Sequence, residues 1–71
     1  MFCKNELKAE MARNGITHEA LAKAVGLSPS ALYRKMIGQT DFYRYEIVKI
    51  AEALHLDDTA IRRIFFAREL A

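Results

Sequence analysis

The chain has 71 residues, of which 52% are apolar and 28% charged, with three glycines and one proline. This length allows one small domain and excludes a multi-domain enzyme, and the composition is typical of a compact fold rather than a disordered segment. The net charge is only +2, but residues 1–38 carry +3 and residues 39–71 carry −1, so the first half could present a basic face to a polyanion.

Apolar residues recur at the helical spacing along the chain, and no segment alternates as a β-strand does. In chain order, five helices are predicted, over residues 4–14, 18–25, 29–37, 44–54 and 58–70. The sequence therefore predicts an all-α fold in a single domain, residues 1–71.

Three of the predicted helices begin at a residue whose side chain can accept a hydrogen bond from free amides: Thr17, Ser28 and Asp57. An apolar residue before each cap is matched by one at the fourth helical position, and the pairs are Ile16 with Leu21, Leu27 with Leu32, and Leu56 with Ile61. This is the hydrophobic staple, which fixes the angle at which the chain enters a helix. We therefore expect tightly specified angles between the helices.

The second and third helices are joined by a short turn that contains Gly26. A glycine in a three- to four-residue turn between two short helices is the helix-turn-helix pattern. Ala22, four residues earlier, is small enough for close approach of the helices, and Leu32 returns the third helix to the core. We assign the motif to about 18–37.

The run ITHEALAKAVGLS at 16–28 resembles the start of Cro/CI-type helix-turn-helix domains, t-x-x-x-L-A-x-x-x-G-[iv]-S. Leu32, Gly38 and the run IVKIAEAL at 47–54 resemble the continuation of that family, and the segments GQTDF and IFFA are similar to short regulators of bacteriophages and mobile elements. The resemblance covers 4–70. It implies a lambda-repressor-like fold whose third helix lies in the major groove of double-stranded DNA.

By position, the resemblance implies that five residues lie at or near base edges: Ser28, Pro29, Ser30, Tyr33 and Arg34. It also implies that flanking phosphates are contacted by Thr17, His18, Thr40, Arg44 and Tyr45. The stem of Lys35 is expected to cover the edge of the core while its ammonium reaches a phosphate.

Residue spacing supports part of this interface independently, because Ser30, Tyr33, Arg34 and Ile37 share one polar and basic helix face. The alternative for Arg34 and Lys35 is a solvated helix face without a partner. The segment 42–45 could be a stacking platform for single-stranded nucleic acid, but a core role for its phenylalanine is favoured.

The sequence contains no signature of an enzyme, a metal site or a cofactor site. His18 and His55 are too far apart in the predicted fold for zinc, and Cys3 has no nearby histidine partner for nucleophilic catalysis. No phosphate loop, nucleophile elbow or pair of carboxylates is present. We predict no catalysis, no metal, no cofactor and no small-molecule substrate.

The fifth predicted helix has two apolar stripes, and both cannot face one small core. We expect the stripe of Arg62, Phe66 and Leu70 to form a two-fold dimer seam, which would place two third helices about one DNA turn apart. The alternative is that Phe66 packs on the first helix, with Leu70 at a frayed end.

Together these patterns predict a homodimeric regulator, of the phage repressor type, that acts by occupying its operator. The alternative is a non-enzymatic protein-interaction module on the same fold. A single cysteine and the lack of a signal peptide or long apolar stretch favour a cytoplasmic protein without a membrane span. The resemblance implies that it is nucleoid-associated, in a bacterial or phage-infected cell.

Overall fold

The computed structural model describes residues 1–67, which form five α-helices and, within that range, no β-strand. The helices are α1 (Lys4–Asn14), α2 (His18–Val25), α3 (Pro29–Met36), α4 (Arg44–Leu54) and α5 (Asp58–Phe65). The all-α, five-helix prediction is therefore confirmed. The bounds of α1, α2 and α4 are those predicted, and α3 ends one residue earlier.

The fifth helix ends at Phe65 rather than continuing through Phe66 as predicted. Phe66 has φ −132° and ψ 33°, so its backbone is not helical. The next amide, of Ala67, donates to the carbonyl of Met1 at 3.2 Å instead of continuing the helical pattern. A contact with the other end of the chain therefore ends α5, and periodicity within the helix does not reveal such a contact.

Three of the four connections between helices have the same design. Each has a left-handed residue, then an apolar residue, then the N-cap of the next helix, and the three segments are Gly15-Ile16-Thr17, Gly26-Leu27-Ser28 and His55-Leu56-Asp57. The amide of the apolar residue donates, at 2.9 Å in each case, to a carbonyl near the end of the preceding helix. This is the Schellman arrangement, which satisfies carbonyls at a helix end.

The three predicted N-caps are present. The hydroxyls of Thr17 and Ser28 each accept from the amide three residues later at 3.1 Å, and the carboxylate of Asp57 accepts in the same way at 2.8 Å. The same three connections therefore end one helix and begin the next with local hydrogen bonds alone.

The core lies where α2 packs against α3 and α4, and where α1 packs against α4 and α5. Its buried apolar side chains are Leu7, Met11, Leu21, Ala22, Val25, Leu32, Met36, Ile50, Leu54, Ile64 and Phe65. The apolar residues of the three connections, Ile16, Leu27 and Leu56, pack against it. Each therefore anchors two helices at once.

Three phenylalanines cover one end of this core. The ring of Phe42 lies 4.9 Å from that of Phe2 and 5.4 Å from that of Phe65, measured between centroids. The core role favoured for Phe42 is therefore confirmed. Phe2 was not foreseen, and it is held here because the next amide, of Cys3, donates to the carbonyl of Ile64 on α5 at 2.6 Å.

Candidate nucleic-acid interface

The helix-turn-helix unit is formed by α2, Gly26 and α3. Gly26 has φ 84°, a left-handed conformation that glycine adopts without strain. The next amide, of Leu27, donates to the carbonyl of Ala22 at 2.9 Å, which closes the turn. Ala22 and Leu32 are completely buried, as the spacing predicted, so the two helices cross closely on the core.

A second contact ties the beginnings of the same two helices. Nε2 of His18, at the first position of α2, lies 2.8 Å from the carbonyl oxygen of Pro29, at the first position of α3. Because a carbonyl only accepts, Nε2 carries the hydrogen in this contact. His18 was expected at a phosphate, and the structure shows that one of its ring nitrogens is already used to hold α2 against α3.

The outward face of α3 is polar and open to solvent. Its exposed residues include all five that were expected near base edges, Ser28, Pro29, Ser30, Tyr33 and Arg34, together with Ile37. Tyr33 is 57% exposed, so its ring does not belong to the core. The structure thus presents on one continuous surface a guanidinium, two hydroxyls and a phenol that can donate to or accept from base edges.

Four other expected residues are exposed: Thr17, Thr40, Arg44 and Tyr45. Thr17 caps α2 and Arg44 begins α4, so both stand at helix N-termini, where free amides and the helix dipole favour an anion. The ring of Tyr45 lies 6.0 Å from that of Tyr43, between centroids. All four residues are therefore open to solvent, and their hydroxyl and guanidinium groups are of the types that bind phosphate.

Lys35 is the exception among the expected contacts, because its ammonium points into the protein. The residue is 8% exposed, and Nζ donates to the carbonyl of Asp41 at 2.8 Å and lies 3.1 Å from Oε1 of Glu46. Nζ also lies 4.3 Å from the ring centroid of Tyr43. With its ammonium engaged on these sides, Lys35 lies beneath the exposed surface of α3.

Glu46 was missed by the sequence analysis, although it is the acid that holds Lys35. It is 1% exposed, and its Oε1 accepts from the amide of Tyr43 at 2.7 Å. An acid three residues after an N-cap is the second half of a capping box, and this spacing could have revealed Glu46. It was hidden because Tyr43 stands where that box has Ser or Thr.

A second surface of the molecule is an apolar groove between α4 and α5, of about 720 Å³. Its apolar lining is Phe42, Ile47, Val48, Ala51, Leu56, Ile61 and Phe66. Val48 is 51% exposed and Phe66 38%, and Arg62 of the expected dimer seam is exposed as well. Leu70, the third residue expected in that seam, lies outside the described residues.

Among residues 1–67, no three side chains of His, Cys, Asp or Glu come together as metal ligands would. None of the helices in this range is both long enough and apolar enough to cross a lipid bilayer.

A comparison with protein-family models matches residues 5–64 to a helix-turn-helix domain. The matched segment contains the turn at Gly26, all of α2, α3 and α4, and nearly all of α5. No curated protein and no solved structure gave a significant match to the chain.

Proposed function

Because the chain belongs to the helix-turn-helix domain family, we propose that it is a sequence-specific regulator of transcription that binds double-stranded DNA. The observation that carries the proposal is the outward face of α3. It is exposed, polar and basic, and it sits on a helix held at a fixed angle by the Gly26 turn and the contact of His18 with Pro29.

In the proposed complex, α3 enters the major groove and α2 lies across the backbone. Arg34 donates to a guanine, and Ser28, Ser30 and Tyr33 contact neighbouring base edges. Pro29 has no side-chain donor, so it contributes shape and an apolar contact. Thr17, His18, Thr40, Arg44 and Tyr45 lie at phosphates and set the register of α3 on the duplex.

We further propose that the protein represses transcription by occupying its operator, in the manner of a phage repressor. Occupancy of an operator requires only a DNA-binding surface, and the exposed face of α3 supports this proposal. This activity places it on DNA in the cytoplasm of a bacterial or phage-infected cell.

Selection of bound sequences from a random duplex pool tests the proposal. The native chain should enrich one motif, and Arg34→Ala should relax the preference at one base pair, at a cost of about 1–3 kcal/mol in discrimination. Lys8→Ala, an exposed lysine of α1 outside the proposed interface, is the matched control and should leave the motif unchanged. If the native chain enriches no motif over random duplex, the proposed function fails.

A homodimer is proposed as the binding form, with Arg62, Phe66 and Leu70 in the seam. The support is the exposed ring of Phe66 at the edge of the α4–α5 groove, beside the exposed Val48. A second copy that covers these apolar groups would remove them from water. It would also present two α3 helices to the two halves of an inverted repeat.

Sedimentation of variants without DNA tests the seam. Phe66→Glu should give a monomer with the helical circular dichroism retained, because a carboxylate cannot be buried unpaired in an apolar interface. Tyr33→Glu makes the same kind of change on the exposed face of α3, outside the seam, and should remain a dimer. An unchanged mass for Phe66→Glu would contradict the seam.

The same groove supports a second candidate function, a module that binds another protein without DNA. The two candidates differ in salt dependence, because binding to phosphates weakens linearly in log-log coordinates as counterions are released. A partner bound only through the apolar groove would show little such dependence.

A further inference from the structure

A network of polar groups, centred on the buried side chains of Lys35 and Glu46, joins α3 to the long connection that follows it and to the start of α4. Its centre is Nζ of Lys35, on the inner side of α3. The network reaches Asp41 in the connection, Tyr43 at the N-cap of α4, and Glu46 in its first turn. Within residues 1–67, no other polar side chain forms a hydrogen bond or ion pair between α3 and α4.

The ammonium of Lys35 has protein partners on three sides. One hydrogen goes to the carbonyl of Asp41 at 2.8 Å, one faces the carboxylate of Glu46 at 3.1 Å, and the ring of Tyr43 lies over Nζ at 4.3 Å from its centroid. An ammonium has three hydrogens. Lys35 therefore has no donor left for a ligand, and Glu46 neutralises its charge.

The groups that this network holds stand next to proposed DNA contacts. Asp41 directly follows Thr40, and Tyr43 directly precedes Arg44 and Tyr45. We propose that Lys35 is a positioning residue for DNA binding: it sets segment 37–43 and the start of α4 at a fixed place relative to α3, and does not contact phosphate. This inference rests on the proposed function for its DNA-binding part only.

The geometry explains why a lysine serves this purpose. The contacts needed are one backbone carbonyl, one carboxylate and one aromatic face, which approach from different directions. An ammonium on a flexible stem can donate in three directions, whereas a guanidinium is a planar fork suited to one bidentate partner. While Lys35 makes these contacts, Thr40 and Arg44 keep a fixed position relative to the base-contacting residues of α3.

The test compares three variants with the native chain in titrations of the selected operator over a range of salt concentrations. Lys35→Met with Glu46→Gln removes both charges and keeps an acceptor for the amide of Tyr43, which guards against a failure to fold. Arg44→Ala removes a proposed phosphate contact, and Lys8→Met is the matched control on the exposed side of α1. Circular dichroism verifies that each variant is folded at the temperature used.

The double variant should lose affinity by roughly tenfold at every salt concentration. The slope of log affinity against log salt should not change, because the same phosphate contacts form in the complex once binding has ordered the segment. Arg44→Ala should lower the magnitude of that slope by about one unit, and Lys8→Met should change neither quantity. A slope lowered by about one unit in the double variant would overturn the proposal, because Lys35 would then be a phosphate contact. Unchanged affinity would overturn it as well.

Hydrogen exchange of the free protein keeps this inference separate from the proposed function. Amides in segment 37–43 should exchange faster in the double variant than in Lys8→Met, while those of α2 should not change. If the native chain binds no duplex selectively, the proposed function fails and this measurement alone decides whether Lys35 holds the segment. Equal exchange in segment 37–43 would overturn the positioning role.

Discussion

The three short connections and the long connection between α3 and α4 are held in place by different kinds of contact. Each short connection needs only three residues, and its hydrogen bonds run to neighbours within five residues. The long connection, 37–43, contains a similar left-handed residue, Gly38, but ends at Tyr43, whose side chain makes no capping hydrogen bond. It is held instead by Lys35 and Glu46, from the helices on either side.

The two parts of the proposed interface therefore obtain their geometry from different sources. The angle between α2 and α3 follows from the Gly26 turn, the Ser28 cap and the contact of His18 with Pro29, all within the helix-turn-helix unit. The position of Thr40 and Arg44 relative to α3 follows from a buried ion pair, which forms only when α3 and α4 are packed. Variants in the two kinds of connection should therefore differ in the size of their effect on the free energy of unfolding.

The largest effect on the free energy of unfolding is expected at Lys35 and Glu46, which hold the long connection. Lys35→Met alone leaves the carboxylate of Glu46 buried without its cation, so the free energy of unfolding should fall by about 3–5 kcal/mol. Urea denaturation followed by circular dichroism measures this change.

The matched comparison for that variant is Lys8→Met, where an exposed lysine should be replaced at a cost of less than about 0.5 kcal/mol. Adding Glu46→Gln to Lys35→Met should restore a large part of the lost stability, because no buried charge then remains. A loss as large in the double variant as in Lys35→Met would mean that packing, not charge, explains the effect.

A smaller loss of stability is expected for substitutions in the turn of the helix-turn-helix unit. Gly26→Ala meets no atom within 4 Å of the added Cβ, so the cost is the left-handed backbone alone, about 1–2 kcal/mol. Gly26→Asn should lose less, because asparagine tolerates this conformation. Thermal and urea unfolding measure both, and a loss well above this range would show that the turn is also sterically constrained.

The smallest expected change in the free energy of unfolding is a gain rather than a loss. His55 adopts φ 55° in the third short connection, where the other two have glycine. His55→Gly should raise the free energy of unfolding by less than about 1 kcal/mol, since relief of the left-handed backbone is partly offset by a more flexible unfolded chain. His55→Ala, which keeps a Cβ in that conformation, should not stabilise the protein and separates the backbone effect from loss of the imidazole.

Much of the fold was accessible from the sequence, for reasons visible in particular residues. Thr17, Ser28 and Asp57 could be identified as caps because a cap bonds to an amide three residues away. The outward face of α3 could be identified because helical periodicity places Ser30, Tyr33 and Arg34 together.

Other features could not be read in this way, because their partners are distant in sequence. The contact of His18 with Pro29 spans 11 residues, and the end of α5 depends on the carbonyl of Met1. Lys35 looked like one more basic residue of a basic helix. Nothing in the residues next to Lys35 in the sequence indicated that its ammonium would pair with a carboxylate on α4.

The five helices, the ends of most of them, and a turn with the spacing of a DNA-binding motif could all be predicted from the order of residues. These features depend on hydrogen bonds and side-chain spacings within one or two helical turns, which a linear pattern records. Which cations face solvent depends instead on the packed fold, because burial and pairing are set by the groups that the packed helices bring together. Arg34 and Lys35 are adjacent in the chain, yet packing leaves the first on the surface and pairs the second with Glu46 inside.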